Sequence, residues 1–98
     1  MAPRLLTQDE RREMLSPLSG WSMVEGRDAI RKRFTFNDFV EAFGWMTRVA
    51  LTAERLDHHP DWSNSYRNVD VTLTTHSAGG LTERDIALAQ AMDSYAAG

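Results

Sequence analysis

The chain has 98 residues, 42% hydrophobic and 26% charged, which predicts one globular domain over residues 1–98 with a single core. A net charge of −3 provides no basic field for nucleic acid, and the absence of cysteine excludes disulfides and thiolate metal sites. No apolar run approaches the ~20 residues of a membrane span, and the N-terminus lacks the apolar core of a signal peptide, so we expect a cytoplasmic protein without a membrane partner.

The first third of the chain predicts a short helix followed by two strands. Thr7 and Glu10 have the spacing of a capping box, which starts the helix. Residues 21–24 form a first short strand and residues 29–36 a second, in which apolar and polar side chains alternate. Lys32 interrupts that alternation, so we expect one end of the second strand to lie near solvent.

A long helix over about 38–56, capped by Asn37, is predicted to be the core helix. At about 100° per residue a narrow apolar stripe runs along it, made of Phe39, Phe43, Met46, Ala50 and Ala53. Further apolar residues widen this stripe on both sides, so we expect the helix to be buried from two sides. Thr52 falls on the remaining polar strip, and Glu54 on the border of the apolar face.

The last part predicts a hairpin and a final helix. Residues 62–66 and 68–75 are the predicted hairpin arms, with Asn64-Ser65 or Arg67-Asn68 near the turn. Thr82 caps a helix that runs to about residue 96. The order α-β-β-α-β-β-α predicts an α+β two-layer sandwich, with an antiparallel sheet covered by helices.

The three histidines of the chain, His58, His59 and His76, fall within 19 positions. Imidazole can both donate and accept a proton near neutral pH, so their clustering predicts an acid–base site built from two loops. Pro60 favours an extended backbone at His59, and the two adjacent imidazoles should therefore point in different directions.

Each of these residues also has a plainer interpretation. The three histidines could hold a metal ion, or His58 could only interact favourably with the dipole at the end of the preceding helix. Asp85 could be the carboxylate that holds the His76 ring, or only the capping-box partner of Thr82.

Several segments closely resemble the pterin-4a-carbinolamine dehydratase family. The early LSGW, the helix FNDFVEAFGWMTRVALTAE, the loop AERLDHHPDW, the TTH at residues 74–76 and the GLTERD at residues 80–85 all occur in the order of the family. The resemblance covers residues 6 to about 93. It implies a four-stranded antiparallel sheet with three helices on one face, and assembly into homodimers or homotetramers.

The resemblance also implies an activity and a set of site residues. The family removes water from 4a-hydroxytetrahydropterin to give quinonoid dihydropterin, a hydro-lyase reaction that recycles the pterin cofactor of aromatic amino-acid hydroxylases and needs no metal or other cofactor. It assigns acid–base roles to His58 and His76 with Asp85 as a supporting carboxylate, and substrate binding to His59, Glu54, Asp57, Pro60, Trp62 and Thr75.

Two alternatives of other classes stay open. One is a protein-binding module that acts through its oligomer surface, since in animals the family also stabilises dimers of a homeodomain transcription factor. The other is a small histidine metalloprotein. Independently of these alternatives, Glu54 could be only a helix-flank carboxylate, and Trp62 could be part of the core.

Overall fold

The computed structural model describes residues 3–97. The helices and strands follow the predicted order: α1 (Gln8–Leu15), β1 (Ser22–Met23), β2 (Ile30–Thr35), α2 (Phe39–Leu56), β3 (Asp61–Ser65), β4 (Asn68–Leu73) and α3 (Glu83–Ala97). A short 3-10 helix, His76–Ala78, lies between β4 and α3 and was not predicted. Within residues 3–97, none of the helices combines the length and the apolar character that crossing a bilayer requires.

The four strands form one antiparallel sheet in the order β1-β2-β4-β3, which confirms the predicted α+β sandwich. Alternation along each strand directs one set of side chains inward. The buried set on β2 and β4 consists of Ile30, Phe34, Val69, Val71 and Leu73. Trp45 of α2 lies fully buried over this face, with its ring centroid 4.5 Å from that of Phe34. Its indole N–H donates to the carbonyl of Met92 in α3 at 3.1 Å, which ties the two long helices together over the sheet.

The opposite face of the sheet is polar, which explains why the helices cover only one side. Arg33 of β2 and Asp70 of β4 are paired in register and form an ion pair of 2.9 Å across this face. The hydrogen bonds from Arg33 hold the pKa of Asp70 below its usual range. Lys32, which interrupts the alternation, turns toward the helices and donates to Asp93 of α3 at 2.8 Å.

The capping box of α1 is confirmed. The Thr7 hydroxyl accepts a hydrogen bond from the Glu10 amide at 3.1 Å, and the Glu10 carboxylate accepts one from the Thr7 amide at 2.8 Å. Leu6 and Leu18, on either side of the helix, are buried and attach it to the core.

The cap of α2 differs from the prediction. Asp38, not Asn37, is the N-cap, because its carboxylate accepts a hydrogen bond from the Glu41 amide at 2.8 Å. Asn37 precedes the cap and donates its side-chain amide to the Glu41 carboxylate at 3.1 Å. Both residues therefore contribute to the helix start, but the carboxylate one position later satisfies the helix amide.

The predicted buried stripe of α2 is only partly right, because Ala53 is buried and Met46 packs partly against the core, but Phe39, Phe43 and Ala50 are exposed. The residues that this helix buries are Ala42, Trp45, Val49, Thr52 and Ala53, whereas Phe39 and Phe43 are about half exposed. The helix has one apolar face against the sheet and a second apolar face that the chain leaves exposed. The predicted stripe lies around the helix midway between these two faces. Thr52, expected on the polar strip, is buried because its hydroxyl bonds to that of Tyr95 at 2.7 Å.

The β3–β4 hairpin turns next to the predicted pairs, directly after Ser65 and including Arg67. Its turn residues are Tyr66 and Arg67, and Tyr66 takes a left-handed conformation with φ of 52°. The strand β4 ends at Leu73 instead of residue 75, because Thr75 leaves the sheet and pairs with Gly80. This pairing closes a small loop that contains the 3-10 helix, and the loop carries His76.

Candidate active site

The end of α2 determines where the two adjacent histidines point. Asp57 adopts the left-handed conformation, with φ of 51°, and its amide bonds back to the carbonyls of Ala53 and Glu54. The His58 amide also bonds to the Ala53 carbonyl, at 3.0 Å. The chain therefore folds back on the helix, with the His58 side chain only 7% exposed and that of His59 58% exposed. The prediction that the two imidazoles diverge is confirmed.

His58 is held by Asp85, a fully buried carboxylate in the first turn of α3. The Nε2 of His58 lies 2.6 Å from Oδ1 of Asp85. The other carboxylate oxygen accepts hydrogen bonds from the Thr75 hydroxyl at 2.8 Å and from the Thr82 amide at 2.9 Å. Asp85 is thus both the capping-box partner of Thr82 and the support of a histidine. The histidine is His58, however, and the expectation that Asp85 holds His76 is wrong.

The contacts of Asp85 determine the tautomer of the His58 ring. An ionised carboxylate can only accept hydrogen bonds, so Nε2 of His58 is the donor and carries the proton. Every buried side-chain nitrogen and oxygen among residues 3–97 has a hydrogen-bond partner, and the Nδ1 of His58 forms no such bond there. That Nδ1 is therefore not completely enclosed by the protein. It is the ring atom at which His58 can exchange a proton with a bound molecule.

His76 is paired with a carboxylate that the sequence reasoning missed. Its Nε2 lies 3.5 Å from Oδ2 of Asp61, and the two side chains are 76% and 59% exposed. Asp61 begins β3 opposite Thr72 of β4, four residues before His76. The strand register brings them together, and only the correct pairing of the hairpin arms could have identified Asp61 from the sequence. None of the 3-10 helix residues, His76 included, is buried, whereas Asp85 is fully buried.

His59 forms the third pair of the site. Its Nε2 lies 2.6 Å from Oε1 of Glu54, one turn back on α2, and both side chains are largely exposed. Glu54 is therefore more than a solvated flank residue of the helix. The carboxylate fixes the orientation of the ring without burying it, which leaves His59 accessible to a ligand.

The remaining predicted residues surround these pairs. Pro60 and Trp62 are half-buried, and the Trp62 ring packs 6.2 Å from that of Trp45, so Trp62 belongs partly to the core. Thr75 is buried, and its hydroxyl bonds to Asp85, which holds His58. Since His76 is the next residue, Thr75 links the loop of His76 to the support of His58. Among residues 3–97, no three histidine or carboxylate side chains converge as a metal site would require.

Comparison with known proteins now identifies the chain's relatives. Residues 4–95 match the family described as pterin 4 alpha carbinolamine dehydratase. The chain belongs to this family. Its relatives include a candidate pterin-4-alpha-carbinolamine dehydratase of Bradyrhizobium sp., 61% identical over 92 residues, which cover 94% of this chain and 93% of the relative. A protein of the same name from Chelativorans sp. is 57% identical over 97 residues, covering 99% of each chain.

Solved structures of the pterin dehydratase fold are also similar. One is described as a transcriptional coactivator/pterin dehydratase from Brucella melitensis. It superposes with a TM-score of 0.90 at 54% identity, over 93% of this chain and 97% of that one. A second, described as a pterin dehydratase-like RuBisCO assembly factor of the alpha-carboxysome, has a TM-score of 0.67 and 23% identity, over 79% of this chain and 89% of that one. At that identity the likeness shows the fold alone.

The candidate site comprises three carboxylate–imidazole pairs, His58–Asp85, His59–Glu54 and His76–Asp61. Only the first is buried, and it leaves the Nδ1 of His58 without a hydrogen-bond partner among residues 3–97. Such a set of rings can donate protons to a leaving group and accept protons from a bound molecule.

Proposed function

We propose that this protein is a 4a-carbinolamine dehydratase, which converts 4a-hydroxytetrahydropterin to quinonoid dihydropterin and water. The observation that carries the proposal is the His58–Asp85 pair, because it orients a buried imidazole and leaves the Nδ1 of that ring without a hydrogen-bond partner among residues 3–97. Membership of the pterin 4 alpha carbinolamine dehydratase family supports the substrate class. The reaction would recycle the pterin cofactor of hydroxylases.

The proposed mechanism uses His58 and His76 as the proton carriers. Expulsion of hydroxide from C4a is slow unless an acid protonates the leaving oxygen, so a protonated imidazole donates to it and water departs. The lone pair of the ring nitrogen N5 supports the resulting cation. A neutral imidazole then removes a ring proton, which gives the quinonoid product and leaves no net change in the number of protons on the protein. General acid–base steps of this kind contribute about 10²–10⁴-fold.

The other residues have supporting roles in this proposal. Asp85 keeps the Nδ1 of His58 available, because it accepts the proton on Nε2. His59 binds the substrate and is oriented by Glu54, at 2.6 Å. Asp57, Pro60, Trp62 and Thr75 line or support the pocket. Asp57 shapes the loop through its left-handed conformation, and Thr75 joins the loop of His76 to Asp85.

The direct test measures the loss of the carbinolamine with and without purified protein. We expect the protein to accelerate dehydration, and EDTA to leave the rate unchanged, because imidazoles and not a metal ion carry the protons. Elemental analysis of the same sample serves as the control. A rate equal to the uncatalysed rate would exclude the dehydratase proposal, and EDTA-sensitive activity restored by one metal would exclude the general-acid mechanism.

We also propose that the chain forms homo-oligomers through the exposed apolar face of α2. This face exposes 47–78% of four large side chains, those of Phe39, Phe43, Leu51 and Val40. Beside it, Glu41 lies near the start of the helix, and Arg48 and Arg55 lie toward its end. In an antiparallel pair with two-fold symmetry, the acidic start of one helix faces the basic end of the other. A second copy therefore fits both the apolar and the charged parts of this face.

Sedimentation velocity tests this assembly. We expect wild-type protein to sediment as an oligomer at micromolar concentration and Leu51→Glu to shift it toward the monomer, because the variant places a charge in the apolar contact. Leu5→Glu is the matched control, since it makes the same change at another exposed leucine. A wild-type monomer, or equal behaviour of the two variants, would contradict the assignment of this face.

A further inference from the structure

The loop that carries His76 is closed by its own backbone. The amide of Thr75 bonds to the Gly80 carbonyl at 3.0 Å, and the Gly80 amide bonds to the Thr75 carbonyl at 3.2 Å. The amides of Ala78 and Gly79 bond to the same Thr75 carbonyl, each at 3.0 Å. The loop is therefore a compact unit, and whatever holds its base determines where His76 lies.

Asp28, in the turn between β1 and β2, holds that base on both sides. Its backbone carbonyl accepts a hydrogen bond from the Thr74 hydroxyl at 2.9 Å, just before the closing pair. Its carboxylate accepts one from the Leu81 amide at 3.1 Å, just after the pair. Asp28, which is distant in sequence, therefore bonds to the chain on both sides of the loop base.

The carboxylate of Asp28 is itself braced from α1 by Arg11. The guanidinium donates to both carboxylate oxygens, with 3.2 Å between Nε and Oδ1, and also to the carbonyl of Leu6. The fit against the loop is close, because a Cβ at Gly80 would overlap the Asp28 carboxylate. A charge-assisted, bidentate pair of this kind fixes both partners more firmly than a neutral hydrogen bond would.

The loop also connects to the second acid–base histidine. The Thr75 hydroxyl and the Thr82 amide, on the two sides of the loop base, both donate to Asp85, which holds His58. A shift of the loop base would therefore displace His76 and disturb the support of His58 at once.

We propose that Asp28 is a positioning residue of the active site, which sets the placement of His76 relative to His58 through Thr74 and Leu81. The proposal rests on the dehydratase function proposed above. Asp28 touches the loop base and not the reacting atoms, so its effect is on geometry. Displacements of about 1 Å far from the reacting atoms can cost about 10²-fold in rate.

The experiment compares Asp28→Asn with a matched control, Asp93→Asn, in steady-state kinetics of carbinolamine loss. Asp93 pairs with Lys32 as Asp28 pairs with Arg11, and the side-chain exposures are nearly equal: 26% and 21% for Asp93 and Lys32, against 29% and 20% for Asp28 and Arg11. Asp28→Asn should lower kcat about 10-fold or more with KM nearly unchanged, because it disturbs proton-transfer geometry. Asp93→Asn should keep the wild-type kcat, although its thermal midpoint should fall by about as much as that of Asp28→Asn.

Amide hydrogen exchange on the same proteins provides a second measurement that does not depend on turnover. Asp28→Asn should accelerate exchange at Leu81 and at the 3-10 helix while leaving α2 protected, and Asp93→Asn should not. If Asp28→Asn does not fold, Thr74→Val replaces it, because this variant deletes only the hydrogen bond to the Asp28 carbonyl. Thr74→Val should lower kcat less than Asp28→Asn is expected to, and it should leave KM unchanged.

The outcomes separate the two proposals. An inactive wild-type protein would overturn the dehydratase function. An active wild-type protein in which Asp28→Asn, or Thr74→Val in its place, keeps the wild-type kcat would overturn the positioning role of Asp28 alone. A fall in kcat equal to that of Asp93→Asn would overturn it as well, because a general loss of stability would then explain the effect.

Discussion

Replacement of both His58 and His76 by glutamine is expected to reduce kcat toward the uncatalysed rate while the protein stays folded. Glutamine is chosen because its amide can still donate to Asp85, which otherwise would be left buried without its partner. Each single variant should lower kcat by roughly 10²-fold or more and change KM less, because one positioned acid or base is lost. The double variant should lose far more, since only water would then remain as the acid.

His59→Ala provides the contrast to these variants. Its ring is exposed and oriented only by Glu54, so we expect a larger increase in KM than decrease in kcat. Steady-state kinetics with thermal melts on all four proteins make the comparison. A folded His58/His76 double variant with near wild-type kcat would exclude the two histidines as proton carriers.

The fold could be predicted almost completely because local signals agreed with the tertiary structure. The Thr7–Glu10 capping box and the alternation along β2 and β4 each depend on neighbours in the sequence, and each was confirmed. The buried face of α2 could not be predicted, because apolar residues surround most of that helix. Periodicity finds the centre of all apolar residues, and it cannot separate a face that packs in the core from one that stays exposed.

The site shows the same division between local and long-range information. The divergence of His58 and His59 follows from Pro60 and the end of α2, and it was predicted. The partners of His58 and His76 depend on contacts 27 and 15 positions apart, between residues 58 and 85 and between residues 61 and 76. Sequence proximity suggested His76 for Asp85, but His76 in the 3-10 helix is exposed, and the buried Asp85 pairs with His58.

Asp85→Asn is expected to impair both stability and turnover. The carboxylate is fully buried and accepts hydrogen bonds from His58, Thr75 and Thr82. An amide accepts at only one of the two positions and donates at the other, so the network loses its charge, and either His58 changes tautomer or Thr75 and Thr82 lose their acceptor. Losing one partner of a buried charged network costs about 3 kcal/mol in the free energy of unfolding, which should appear as a clearly lower thermal midpoint.

The effect of Asp85→Asn on catalysis follows from the tautomer of His58. The amide nitrogen of asparagine donates a hydrogen bond, so it favours a His58 ring whose Nε2 is unprotonated and whose proton lies on Nδ1. The Nδ1 of His58 then no longer offers a lone pair, and kcat should fall by about 10²-fold, as for loss of the base. Asp93→Asn on the same helix is the control, expected to keep kcat although its charge-assisted bond with Lys32 is weakened. Kinetics and urea unfolding of both variants decide the matter: an Asp85→Asn protein with wild-type kcat would show that Asp85 only caps α3 and that His58 does not depend on it.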